Sequence, residues 1–209
     1  MEINLSNYQN IIFDLGGVIL NIDYNLSVEA FKNLGLDKFQ EHFSQAKQKE
    51  LFDHYEKGNI SSVEFRTQLK RYLEANITDQ EIDNAWNALL LDLPKERLEV
   101  LNTLKNSCRT FLLSNTNEIH INEFNRYLQQ HFCINDLKNY FEEVYLSYEI
   151  GMRKPDKEIF QFVLDQNGLL PEETLFIDDS KQHIDTAETL GINTYWLTNG
   201  KTIVDLFGK

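Results

Sequence analysis

The chain has 209 residues, 42% of them hydrophobic, and a formal charge of −13. So acidic a chain lacks the basic footprint that nucleic acid or an anionic membrane surface demands, although a local positive pocket for a small anion stays open. The length exceeds one typical domain and falls short of two, which fits a single core carrying an inserted subdomain. Cys108 and Cys133 are too few for a disulfide framework and read as small buried hydrophobes. No apolar segment follows a basic N-terminus and none reaches membrane-span length, so the cytoplasm is the expected location.

Ile11-Ile12-Phe13 is a β-prone run that ends in Asp14 and then Gly16-Gly17, with Val18-Ile19-Leu20 resuming behind it; a strand, a tight turn and a small hairpin are expected. From about residue 23 to 92 the character turns helical. Ser61 with Glu64, and Thr78 with Glu81, read as capping boxes. Behind them Phe65, Leu69, Tyr72 and Leu73, then Ile82, Ala85, Trp86, Leu89 and Leu90, recur at helical spacing and read as core. No strand interrupts this stretch, so it is taken as a helical insertion, with residues 1–22 and 93–209 forming an α/β core.

After Pro94 strands and helices alternate. Helices are expected over 98–104, 155–167 and 184–190, the second ended by Gly168. Strands are expected over 110–113, 143–147, 174–177 and 194–197. This order predicts a doubly wound, mainly parallel sheet whose ligands gather beyond the strands' C-terminal ends. Three of the runs stop abruptly at polar residues, Asp14, Ser114 and Asp178-Asp179, and Lys154 sits in the loop Gly151-Met152-Arg153-Lys154-Pro155. Three carboxylates can hold a hard divalent cation such as Mg²⁺. Ser114 can hydrogen-bond a phosphoryl oxygen, Lys154 can neutralise charge on a transferred group, and a carboxylate beside that group can attack phosphorus. Arg153 reads as an ion-pair partner. Glu56-Lys57-Gly58 is either an exposed turn or a loop that reaches the site.

Phe13-Asp14-Leu15-Gly16-Gly17-Val18, Leu113-Ser114-Asn115-Thr116-Asn117, Gly151-Met152-Arg153-Lys154-Pro155 and Phe176-Ile177-Asp178-Asp179 resemble, in order, the four motifs of the haloacid dehalogenase-like hydrolase superfamily. The helical insertion is similar to that family's cap, in the sugar-phosphatase branch that includes α-D-glucose-1-phosphate phosphatase. The resemblance implies a Mg²⁺-dependent phosphatase of a small phosphorylated metabolite. It implies Asp14 as nucleophile and metal ligand, the Gly16 carbonyl and Asp179 as further ligands, and Asp178 acting through a water. Ser114 and the Asn115 amide would hold the phosphate, with Lys154 bridging it to the nucleophile.

One position departs from the family. Most such phosphatases place an aspartate, the general acid and base, two residues after the nucleophile, where this chain has Gly16. Losing positioned proton transfer costs roughly 10²–10⁴-fold in rate. A sugar 1-phosphate, whose leaving group is already good, would suffer least, and Asp23, His120 and His183 are candidates to supply the proton. Two other readings are a haloacid dehalogenase, against which the Asp178-Asp179 pair speaks, and a non-catalytic binding domain, against which the intact Asp14, Ser114, Lys154 and Asp179 set speaks.

Overall fold

The computed structural model describes residues 7–35, 45–73 and 76–208, without the side chains of 45–49 and 73. Five strands form one sheet: β1 (Asn10–Phe13), β2 (Arg109–Ser114), β3 (Glu143–Leu146), β4 (Thr174–Asp178) and β5 (Asn193–Trp196), in the order β3-β2-β1-β4-β5. Every pairing is parallel. The three central strands, β1, β2 and β4, are short and buried on both faces, as continuous apolar runs with crossover helices require, while the edge strands β3 and β5 are only partly covered. Their side chains alternate with period two. Ile11, Phe13, Leu112 and Ile177 pack to one side with α5 (Lys95–Leu104) and α6 (Glu118–Phe132). Ile12, Phe111, Leu113 and Phe176 pack to the other with α8 (Lys157–Asn167) and α9 (Lys181–Glu188).

Between β1 and β2 the chain builds α1 (Tyr24–Asn33), α2 (Gln45–Glu56), α3 (Ser62–Leu73) and α4 (Asp79–Asn87). Both capping boxes form: Ser61 N–H donates to Glu64 Oε2 at 2.8 Å with Glu64 N–H returning to Ser61 Oγ at 3.2 Å, and Thr78 pairs with Glu81 in the same way. These helices bury a cluster of their own from Phe31, Leu51, Tyr55, Phe65, Leu69, Ile82 and Ala85, to which α6 adds Ile119. Phe65 is wholly buried and stacks on Tyr55 with ring centroids 4.2 Å apart; burying such a side chain is worth about 2–3 kcal/mol. The two segments that leave and re-enter the core run side by side, with Asn21 N–H on Asp92 O, Leu91 N–H on Asn21 O and Asp23 N–H on Leu89 O.

Several expectations need correction. Val18, Ile19 and Leu20 make no hairpin strand. The chain curls, with Ile19 and Leu20 N–H both on Leu15 O and Gly17 N–H on Leu20 O, so these apolar residues turn into the core. Tyr72 stands 37% exposed at the edge of its helix instead of in the core. The third core helix starts at Lys157, not at Pro155, with Asp156 in the N-cap position. The fourth begins three residues early, at Lys181. Cys108 is half-buried, and Cys133 is exposed at the left-handed residue (φ 58°) that ends α6. Helix α6 itself was not foreseen, although Asn117 caps it by accepting from His120 N–H at 3.1 Å. Two further helices complete the chain, a single turn α7 (Ser147–Ile150) and α10 (Ile203–Phe207), and among the described residues no helix is long and apolar enough to cross a membrane.

Candidate active site

The register sets the site. Phe13 pairs with Leu112 on one side and Ile177 on the other. The next residues along the chain are therefore Asp14 and Asp178, side by side where the strand order reverses about β1, and Ser114 stands at the neighbouring strand end. A parallel sheet opens a ligand crevice at such a point. Asp14, Asp178 and Asp179 each bring a carboxylate oxygen to within 4.8 Å of the others. The sequence-predicted residues Asp14, Gly16, Ser114, Asn115 and Asp179 all line one cleft of about 330 Å³. Lys154 and Asp178 lie beneath its floor, both wholly buried.

Lys154 Nζ is 2.8 Å from Asp14 Oδ1 and 2.7 Å from Asp178 Oδ2. Its backbone is fixed by the side-chain amide of Asn115, which donates to Lys154 O and accepts from Lys154 N–H, each at 2.8 Å. Asn115 therefore spends its side chain on the lysine loop, and only its main-chain N–H is left for an anion. The next turn is tied as well: Thr116 N–H donates to Ser147 Oγ at 2.9 Å, and that hydroxyl donates to Thr116 O at 3.0 Å.

The electrostatics follow from crowding. Burial pushes the Asp14 carboxyl up to about 7, helped by Asp178 and Asp179 and opposed by Lys154. Burial also raises Asp179, with Asp178 beside it. Against the same burial, Lys154 and His183 hold Asp178 down at about 2; His183 Nδ1 lies 3.0 Å from both of its oxygens. Three carboxylates this close repel unless a cation bridges them. Gly17, at φ +75°, makes room for one of them: a Cβ there would sit 2.1 Å from Asp179 Oδ2. An all-oxygen donor set, confined and short of positive charge, suits Mg²⁺.

The three candidate proton donors fare differently. Asp23 caps α1, accepting from Asn25 N–H at 2.9 Å, and does not line the cleft. His120 lines it with both ring nitrogens engaged, Nε2 donating to Trp86 O at 3.2 Å and Nδ1 accepting from Asn117 Nδ2 at 3.0 Å. Burial lowers its pKa to about 4, so it stays neutral. His183 is at the rim but bound to Asp178. The lining also includes residues that sequence reasoning did not assign to the site, Tyr24, Leu89 and Gln182, and Glu56, which is the last residue of helix α2 and not part of the loop expected there. Arg153 is the ion-pair partner expected of it, with Nη1 2.6 Å from Asp53 and Nη2 2.9 Å from Glu56. A larger cleft of about 720 Å³ lies beside the opposite strand ends, around Tyr8, Cys108 and Arg109. Arg109 there is neutralised by Glu142 at 2.6 Å.

Comparison with known proteins agrees with this geometry. The chain is 34% identical over 197 residues to D-ribitol-5-phosphate phosphatase of Bacteroides thetaiotaomicron, covering 92% of this chain and 93% of that protein. The HAD family enzyme bt-2542 of the same organism superposes with a TM-score of 0.87 at 37% identity, over 97% of this chain and 100% of that one. Its complex with magnesium and inorganic phosphate gives a TM-score of 0.84, again at 37% identity, over 96% and 99%. The sequence model of the haloacid dehalogenase-like hydrolases matches residues 8–191. The chain belongs to the haloacid dehalogenase-like hydrolase family.

Proposed function

We propose that the protein is a Mg²⁺-dependent phosphomonoesterase that works through an aspartyl-phosphate on Asp14, and that its substrates are phosphorylated polyols or sugars. The observation that carries the reading is Lys154 Nζ, buried between Asp14 and Asp178 with Asp179 alongside. Nothing in core packing calls for a buried lysine held by two carboxylates, whereas phosphoryl transfer calls for a fixed cation against the nucleophile.

Asp14 is the nucleophile, and Asp14, the Gly16 carbonyl and Asp179 would hold the Mg²⁺, with Asp178 reaching it through a water. Bound there, the metal would neutralise charge on the phosphoryl oxygens. Ser114 Oγ and the Asn115 N–H bind two phosphoryl oxygens, and Lys154 orients Asp14 and stabilises the charge that develops. In the first step the Asp14 oxygen bonds to phosphorus as the ester oxygen leaves in line with it. In the second, water attacks the same phosphorus, the Asp14–phosphorus bond breaks, and inorganic phosphate departs. The substrate class is supported by the relative that acts on D-ribitol 5-phosphate, and by the phosphorylated carbohydrates phosphatase of Thermotoga maritima, 23% identical over 204 residues, 93% of this chain and 89% of that protein.

The test is turnover of p-nitrophenyl phosphate with Mg²⁺ or with EDTA, for the wild type and Asp14→Asn, followed by a panel of phosphorylated polyols, sugars, nucleotides and acids. Metal-dependent turnover that Asp14→Asn abolishes is expected, with the highest kcat/KM on the polyol or sugar members. Turnover that survives in Asp14→Asn refutes the mechanism, and a preference for nucleotides refutes the substrate class.

A further inference from the structure

We propose that Glu56, at the end of α2, is the catalytic acid and base that Gly16 does not provide; this rests on the phosphomonoesterase reading above. In-line displacement puts nucleophile and leaving group on opposite sides of phosphorus. Asp14 sits on the floor of the cleft at the end of β1, so the leaving oxygen points away from the sheet, toward the roof formed by the inserted helices. The proton must therefore come from the roof.

Besides the nucleophile, the described lining residues able to exchange a proton are Tyr24, Glu56, His120, Asp179 and His183. Asp179 and His183 belong to the floor, beside Asp14 and on Asp178. His120 has both nitrogens engaged. Tyr24, 69% exposed, can donate a proton, but a phenol whose ordinary pKa is about 10 cannot hold the basic form that water attack needs near neutral pH. Glu56 is left.

Its surroundings suit both halves of the role. The side chain is only 23% exposed, and Oε2 is buried without a hydrogen bond although Arg153 Nη2 is 2.9 Å away. Burial raises the carboxyl, Arg153 opposes it, and Arg153 is itself shared with Asp53. The carboxyl thus holds a proton more readily than an exposed glutamate does, and the carboxylate left behind has a cation beside it. In the first step the Glu56 proton passes to the ester oxygen as its bond to phosphorus breaks, releasing a neutral alcohol. In the second, Glu56 takes the proton of the attacking water and returns to its starting form as phosphate leaves Asp14.

The experiment compares Glu56→Gln with wild type on two esters, p-nitrophenyl phosphate, whose leaving group needs no proton, and D-ribitol 5-phosphate, whose alkoxide does. The quantity read is kcat/KM, which reports the steps through leaving-group departure. Glu56→Gln is expected to stay within about threefold of wild type on the nitrophenyl ester and to lose about 10²-fold or more on the alkyl ester. An equal loss on both esters would mean that Glu56 only anchors Arg153, and no loss on the alkyl ester would mean that it is not the acid; either overturns the proposal. Should the variant not fold, the solvent deuterium isotope effect on wild-type kcat/KM tests the proton transfer itself: above unity for the alkyl ester and near unity for the aryl ester is the contrast that a leaving-group acid requires, and the same value for both refutes the proposal. A wild type inactive on both esters would instead sink the phosphomonoesterase reading.

Discussion

Gly17→Ala tests whether the site depends on the approach of Asp179 to a bare backbone. The residue has φ +75°, and an added Cβ would lie 2.1 Å from Asp179 Oδ2, 2.6 Å from its Cγ and 3.3 Å from its Cβ. Holding an L-residue in the left-handed region costs about 1–2 kcal/mol. The contact adds more, because the whole Asp179 carboxylate must swing aside, and an off-rotamer side chain costs about 0.5–1.5 kcal/mol. The expected loss is about 2–3 kcal/mol, which in a domain of this size lowers Tm by roughly 4–12 °C. Gly168→Ala is the control, since Gly168 has φ +61° and nothing within 4 Å of an added Cβ, so it bears the backbone term alone. Thermal unfolding with and without Mg²⁺ separates the two effects, because a ligand of the native state stabilises by mass action. Gly168→Ala should keep the full Mg²⁺-induced rise in Tm, and Gly17→Ala should lose most of it, with calorimetric Mg²⁺ titration giving the matching loss of affinity. A Gly17→Ala protein that binds Mg²⁺ as wild type does would refute the placement of Asp179 in the metal site.

Trp196 Nε1 donates to the Asp179 carbonyl at 2.9 Å, so Trp196→Phe, which keeps a ring and removes the donor, should weaken Mg²⁺ binding about 3–10-fold, as fits one hydrogen bond; an unchanged titration would count against it. The folded-state pKa of His120, about 4, lies below the ordinary value of 6.5, so between those pH values this residue binds more proton in the unfolded chain and its own contribution to stability falls as pH drops from about 7 to about 4. His120→Gln lacks this term, and its stability deficit relative to wild type should shrink by about 2–3 kcal/mol over that interval in urea unfolding; a deficit that grows on acidification would contradict the buried neutral ring.

The sheet was legible because its strands are short apolar runs that stop at polar residues, and in a parallel sheet those stops fall on one rim. The pattern alone thus brings Asp14, Ser114 and Asp178 together, and Arg153 reads in it as a structural cation. The local geometry after β1 was not legible. Val18 to Leu20 reads as strand by composition, but the backbone returns on itself through Leu15, and only the surrounding core makes that curl worth more than a ladder. The part played by the Asn115 side chain was hidden for another reason, since its partner lies 39 residues on and both hydrogen bonds go to main chain. The same holds for His120, whose neutrality is set by burial in a pocket where the Trp86 ring of another helix stacks on it at 5.2 Å. For Glu56 the sequence offers an exposed turn or a loop that reaches the site, because the residues around it carry no signal of which way its side chain points.

The single ammonium under the floor has a consequence for the order of events. Three carboxylates meet there, and besides the His183 imidazole on Asp178 only Lys154 among the described basic side chains touches them, so with the carboxylates ionised they outweigh its ammonium by two negative charges, the charge of one divalent ion. A phosphate dianion arriving first meets net repulsion, and one arriving second meets a neutral cradle. On the proposed reading, occupancy by the ester is expected to be conditional on the metal, so that substrate binding should rise with free Mg²⁺.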